Sequence, residues 1–369
     1  MFDFIPVTSY SALFYHFMLF MIVVLSLLLY AKDLADPDIK SLSAKMGLSL
    51  VVLIALYMGF RLPSYQFGDT GNYNKAYQYL QNGGELKIDN DYIFNYFMLF
   101  CSKIMHVRLF LFLDALIYIL PMYLFSKKYL GSYWLYGFIM CAASYSFWPY
   151  GVNGIRNGMA TSVFILGLVY YEKKWLMYAL FALSFGIHNS LMIPIAGFTV
   201  AGLYRNPRIY FYIWLASIPL SLAGGGFWGT FFTSLGLGDD RAGSYLDAGA
   251  ISDLARSEGT TFSQTGFRWD FVLYSSAGVF AGWYFLVKNK VQDKFYIHLW
   301  GVYMIANAFW ILVIRAAFSN RFAYLSWFLM APVIIYPLLR YRFSPVQNRI
   351  LAGSLAAYYI FTYFMFLKG

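Results

Sequence analysis

Apolar residues in this chain come in blocks rather than in alternation. Runs of roughly 17–25 mostly apolar residues recur along its length, which is what a helix needs to cross a bilayer. The pattern predicts twelve spans, at about 10–30, 46–62, 109–125, 132–148, 155–171, 175–188, 189–203, 209–224, 269–287, 295–314, 320–339 and 348–367. The pair over 175–203 is short and reads as a tight helical hairpin or a tilted, incompletely crossing pair. An apolar piece at about 92–105 is shorter still, and Lys103, His106 and Arg108 follow it. It reads as re-entrant or interfacial. The first run follows Asp3 rather than a basic segment, and no small-residue cleavage site is evident, so it reads as a true span and not a signal peptide. Two long polar stretches remain, about 63–91 and 225–268. A β-barrel would alternate apolar and polar residues along its strands. The predicted fold is therefore all-α: a polytopic transmembrane helical bundle of about twelve spans plus the short segment, forming a single integral membrane domain over 1–369.

Composition agrees with this class. Of 369 residues, 60% are hydrophobic and only 12% charged, against about 25% charged in a soluble domain. The 34 Tyr and 10 Trp suit interfacial aromatic belts. The two cysteines, Cys101 and Cys141, lie in or beside apolar stretches and suggest neither a metal site nor a disulfide framework. The net charge of +10 does not call for a nucleic acid partner, because cytoplasmic loops of membrane proteins are themselves basic. Alternate short connections hold Lys32, Lys40 and Lys45, then Lys127 and Lys128, Lys173 and Lys174, Arg205 and Arg208, Lys288 to Lys294, and Arg340 to Arg349. The positive-inside rule places these in the cytoplasm. Both termini and both long polar stretches then face outward.

That topology gathers polar residues at the outer end. Arg61 closes the second span, and Asp69, Tyr73 and Tyr77 follow it. Asn153, Arg156 and Asn157 open the fifth span. His188, Asn189 and Ser190 form the turn within 175–203, and Asp114 lies in the outer third of its span. Arg268 and Asp270 lead out of the second long stretch, and Arg315 and Arg321 flank another outer turn. Each residue alone has a simpler reading. An arginine at a membrane edge snorkels to headgroups, His188 ends a helix with a hydrogen bond, Asn189 and Ser190 cap the next helix, and Asp69-Thr70-Gly71 is a loop turn. Outer arginines nevertheless run against the charge bias, and guanidinium forks suit phosphate.

At these positions the sequence resembles the EpsG/Wzy family of bacterial polysaccharide polymerases. Four stretches carry the likeness: Arg61 with Gly68-Asp69-Thr70, Tyr73 and Tyr77; Ile155 to Ala160 with the Lys173-Lys174 turn; Phe181 to Ser190; and Ser319 to Phe322 with Tyr324 and Pro332. Asn157 stands where a glutamine often follows the arginine, and the second long stretch offers only Arg241 and Tyr245. The resemblance implies a GT-C-like membrane glycosyltransferase acting on oligosaccharides carried by undecaprenyl pyrophosphate, at the periplasmic face of the bacterial inner membrane. The growing glycan leaves its lipid pyrophosphate for a sugar hydroxyl of the next lipid-linked unit. Partners would be that lipid-linked oligosaccharide, membrane lipid, a flippase and a chain-length regulator.

For this chemistry Arg156 and Arg321, then Arg61 and Arg315, are the candidate pyrophosphate ligands, since positive groups stabilise charge growing on the leaving group. His188 is the candidate base, with Asp69 in competition. Tyr73, Tyr77, Asn157, Asn189, Arg241, Tyr245 and Arg268 are candidate sugar or loop contacts. Asp239-Asp240 is a weak metal signal, and neither a metal nor another cofactor is expected. The other readings are an O-antigen-type ligase with a different acceptor, and a transporter or flippase of lipid-linked oligosaccharide.

Overall fold

The structure is a computed structural model that describes residues 2–86, 90–234, 266–316 and 319–368. Among these residues the regular elements are helices, with no strand. In chain order they are α1 (Val7–Ala31), α2 (Pro37–Gly59), α3 (Thr70–Gln81), α4 (Tyr92–Ile104), α5 (Val107–Leu130), α6 (Trp134–Ala142), α7 (Phe147–Val152), α8 (Ile155–Val169) and α9 (Lys174–Ile187). Then come α10 (Met192–Leu203), α11 (Pro207–Gly224), α12 (Phe227–Ser234), α13 (Trp269–Lys288), α14 (Lys294–Leu312), α15 (Asn320–Arg340) and α16 (Gln347–Lys368). Among the described residues, seven helical stretches are long and apolar enough to cross a membrane: α1, α2, Val107–Ala142, α13, α14, α15 and α16.

The stretch Val107–Ala142 is two helices, as the apolar pattern predicts. Gly131 has φ +54°, which stops α5. The rings of Tyr123 and Trp134 then meet at 4.9 Å, whereas eleven residues of straight helix would separate them by about 16 Å. The span expected at 132–148 is broken. Helix α6 is 9 residues long and ends at Ala142, where Ser144 and Ser146 hydrogen-bond each other at 3.0 Å before the short α7 begins. The polar stretch 63–91 is not all loop either. It contains the 12-residue α3, whose inner face carries Tyr77 and Leu80. The 92–105 piece is the 13-residue α4.

By its internal contacts the chain divides into two compact units, Met1–Asn189 with Leu338–Gly369, and Ser190–Pro337. In the first unit buried hydroxyls tie the helices together by donating to carbonyls of their neighbours. Tyr10 and Tyr57 donate to each other's backbone at 2.6 and 2.8 Å, joining α1 to α2. Tyr359 on α16 reaches the Tyr15 carbonyl at 2.6 Å, Ser162 on α8 reaches Tyr118 on α5 at 2.5 Å, and Ser184 on α9 reaches Ala160 on α8 at 2.8 Å. In a medium without water an unpaired hydroxyl is costly, so these bonds select the helix neighbours.

The first unit also has two distinct ends. At one, Asp33 meets Arg342 at 3.6 Å, Tyr133 donates to the Leu34 carbonyl at 2.7 Å, and Lys128 holds the Val169 carbonyl and Glu172. The basic connections 32–45, 127–134, 170–174 and 340–349 of this unit thus lie together. At the other end, Trp148 donates to Ser11 at 3.0 Å and Arg108 pairs with Asp3 at 2.8 Å. Helices α8 and α9 have 15 and 14 residues, about 22 Å each against a hydrocarbon thickness of about 30 Å.

The second unit is held by a buried belt of indoles and amides. Trp214 on α11 donates to Asn307 on α14 at 2.8 Å, and Asn307 donates to Ser326 on α15 at 2.9 Å. Trp327 and Tyr303 both converge on Ser275 of α13, at 2.6 and 2.5 Å. Asp293 caps α14 by accepting from the amides of Phe295 and Tyr296 and takes the Tyr336 hydroxyl at 2.7 Å.

Candidate functional site

The end of the first unit opposite those basic connections carries a polar cluster built on two linked layers. The lower layer is a turn. Gly68 adopts φ +60° and ψ −124°, a conformation that suits glycine, and a Cβ there would lie 2.4 Å from the Asn153 side chain. Asn153 then accepts the Asp69 amide at 2.8 Å, while the Thr70 hydroxyl donates to the Val152 carbonyl. Arg61, fully buried, runs beneath this turn. It donates to the Met58 carbonyl at 2.7 Å, to Thr70 at 3.2 Å and to the Val152 carbonyl at 3.4 Å. Burial lowers its guanidinium to about 10, against the opposing field of Asp114; it remains a cation at neutral pH. Both Asp114 oxygens are buried with no hydrogen-bond partner among the described residues.

The upper layer centres on Asp91, only 4% exposed, whose backbone sits in the left-handed region (φ +53°) as it opens α4. Its Oδ2 accepts Arg156 Nη1 at 2.6 Å and lies 4.0 Å from His188 Nε2, and its Oδ1 accepts the Asn189 amide at 3.3 Å. Arg156 also donates through Nε to the Tyr73 hydroxyl at 3.0 Å. The Tyr73 phenol is raised above its ordinary value by burial, with Arg156 pulling the other way and Asp69 adding to the rise. It therefore stays neutral, and having accepted from Arg156 it keeps its own proton to donate. Asn189 adds a side-chain bond to Asn90 at 3.3 Å. The Arg156 side chain remains 25% exposed, whereas His188 is 5% exposed.

Residues 45–369 match the EpsG family. The chain belongs to that family. Membership assigns it a polysaccharide polymerase role of the glycosyltransferase type on lipid-linked oligosaccharide, and with its apolar helices makes it a multi-pass membrane protein. No curated protein and no solved structure matches the chain.

Of the four stretches resembling the EpsG family, the first three meet in the first unit. Arg61, Thr70 and Asp69 contact residues 152–153, Tyr73 contacts Arg156, and Asp91 joins Arg156 to His188 and Asn189. The members of these stretches differ in accessibility. Tyr77 is fully buried and donates to the Met105 carbonyl at 2.9 Å, so it fastens α3 to the end of α4. Arg61 is likewise enclosed. Asp69 is half-buried and accepts from Asn72 at 3.3 Å; Asn157 is half-buried and Asn189 exposed. In the second unit Arg268 forms a two-pronged pair with Asp270 at 2.9 and 2.7 Å and lies 3.8 Å over Phe271. Arg315 is exposed and Arg321 half-buried. Arg241, Tyr245 and the Asp239-Asp240 pair lie outside the described residues.

Asp91, the hub, is absent from the residues picked out of the sequence. A signal was there: Asn90-Asp91 stands directly before the apolar run 92–105, the place where acidic and amide residues start a helix. The sequence does not show that the carboxylate turns away from its own helix toward Arg156.

Proposed function

We propose that this EpsG-family protein transfers a growing glycan from undecaprenyl pyrophosphate to a sugar hydroxyl of the next lipid-linked repeat unit, at the outer face of the bacterial inner membrane. The observation that carries the reading is the convergence of Arg156, Tyr73, Asp91 and His188 at one end of the first unit. Arg156 is the pyrophosphate ligand. Its fork offers parallel charge-assisted donors to phosphate oxygens, and it is the accessible arginine of this cluster. As the glycosidic bond breaks, the electron pair stays with the leaving oxygen and this cation stabilises it. His188 takes the proton of the acceptor hydroxyl as that oxygen bonds the anomeric carbon. Tyr73, Asn157 and Asn189 are the proposed contacts for sugar or phosphate. Asp69 is the alternative base. Arg61 is better suited to holding the Gly68-Asp69-Thr70 turn than to touching ligand, because its guanidinium is enclosed. Arg321 remains a proposed pyrophosphate ligand on the strength of the fourth stretch of the resemblance, and Arg315 on its place at the expected outer turn.

Purified protein incubated with the host's lipid-linked repeat unit should build a ladder of longer lipid-linked glycans. A single shift onto a non-repeat acceptor would indicate a ligase. Movement of the lipid-linked unit across a vesicle membrane without elongation would indicate a transporter.

A further inference from the structure

Asp91 is one carboxylate serving two catalytic groups. The same oxygen that accepts Arg156 at 2.6 Å lies 4.0 Å from His188 Nε2, and the other oxygen holds the Asn189 amide next in sequence. The Asp91 and His188 side chains are 5% and 7% exposed. A carboxylate in so closed a place must keep a cationic partner, because an isolated buried charge is strongly disfavoured.

We propose that Asp91 is a shared counterion and positioning residue: it pairs with Arg156 in the resting protein and with the imidazolium of His188 during transfer. The inference rests on the polymerase reading above. When the donor's pyrophosphate engages Arg156, its oxygens compete for the guanidinium that Asp91 holds. Asp91 can then turn to the neighbouring His188. His188 becomes a positive partner when it takes the acceptor proton, and the 4.0 Å separation requires only a side-chain adjustment to close. In the transfer the acceptor oxygen bonds the anomeric carbon, the bond to the pyrophosphate oxygen breaks with its electron pair, and the proton rests on His188. Positive charge created on the imidazole thus meets a negative charge released by donor binding. Nε2 is the nitrogen facing Asp91, so the carboxylate holds the ring with its Nε2 proton turned toward it. The donor-bound enzyme is accordingly the form with a competent base.

The test compares the full-length protein with Asp91→Asn, Asp91→Glu and Asp91→Asn/His188→Gln in lipid nanodiscs. Undecaprenyl pyrophosphate is the binding probe, and repeat unit extracted from a polymerase-deficient strain is the substrate. In Asp91→Asn, affinity for undecaprenyl pyrophosphate should hold or improve, since a competitor for Arg156 is gone. Turnover at saturating donor should fall by about 10²-fold, the lower range for loss of general-base function. Asp91→Glu, which keeps the charge, should recover a substantial part, and Asp91→Asn should cost nothing further in the His188→Gln background. Turnover near wild type in Asp91→Asn, or affinity falling in step with turnover, overturns the proposal. Should Asp91→Asn fail to fold, the ¹⁵N-histidine spectrum of the donor-bound wild type decides, with His188→Gln supplying the assignment. A proton on Nε2 supports the proposal, and the opposite tautomer overturns it. If the wild type neither binds undecaprenyl pyrophosphate nor elongates the repeat unit, it is the polymerase reading that fails.

Discussion

Replacing Arg156 by lysine keeps the charge and removes the fork. Arg156 uses two separate nitrogens, Nη1 to Asp91 at 2.6 Å and Nε to Tyr73 at 3.0 Å, and its side chain is 25% exposed so that a ligand can reach it. One ammonium at the end of a flexible stem can satisfy one of these partners while meeting phosphate as a point charge. The loss is therefore about one charge-assisted hydrogen bond, on the order of 1.5–3 kcal/mol. If that bond matters chiefly as charge develops on the leaving pyrophosphate, the rate of elongation should drop by roughly 10- to 150-fold, at 1.36 kcal/mol per tenfold. The assay is the time course of glycan ladder formation from a lipid-linked repeat unit, normalised to folded protein by size-exclusion chromatography. Arg156→Ala should be more severe, because it also leaves buried Asp91 without its charge partner. Wild-type elongation by the lysine variant would refute the two-nitrogen argument and reduce Arg156 to a source of positive potential.

His188→Ala should slow elongation by about 10²–10⁴-fold with little change in donor affinity; a well-folded His188→Gln with near-normal turnover would remove it from the base role and favour Asp69. Gly68→Ala, at φ +60° and 2.4 Å from the Asn153 side chain, should cost about 1–3 kcal/mol, seen as a lower melting temperature together with weaker elongation. Arg61→Met should destabilise the fold by about 1–3 kcal/mol, since it removes the buried donor of the Met58 and Val152 carbonyls and of Thr70; a normally stable variant that has lost only donor binding would make Arg61 a ligand again. Cysteines introduced at Ser64 and Gln292 should label from opposite sides of the membrane, Ser64 from outside, and outside labelling at Gln292 would reverse the assigned orientation.

Hydropathy and loop charge are written along the chain one segment at a time, so the parts of the fold that depend on them were legible. The membrane class, the long helices α1, α2, α5 and α13 to α16, and the shortness of α4 follow from block length alone. The basic connections of the first unit share one end, as their alternation predicts. The three stretches holding Arg61, Arg156 and His188 could be recognised as chemistry because arginine and histidine are conspicuous among apolar neighbours. Less legible was α3, since a helix lying in a polar stretch shows only a few inward positions such as Tyr77 and Leu80. The break at Ala143–Ser146 was hidden as well, because its tyrosine and serines fall within an otherwise apolar run.

Tertiary structure alone decided which of the conspicuous residues is used in which way. Arg61 and Arg156 look alike in the sequence, yet one is enclosed by the carbonyls of Met58 and Val152 and the other is open to a ligand. Tyr73 and Tyr77 sit one helical turn apart, and one meets Arg156 while the other is fixed to Met105. Asp91 is a helix-start residue by its place in the chain and becomes the hub only because α8 and the turn after α9 bring Arg156 and His188 to it. The physical reason is range: hydropathy and capping act within a few residues, whereas the partner of a buried charge is chosen by which helices pack side by side, and that choice joins positions 65 and 97 residues apart.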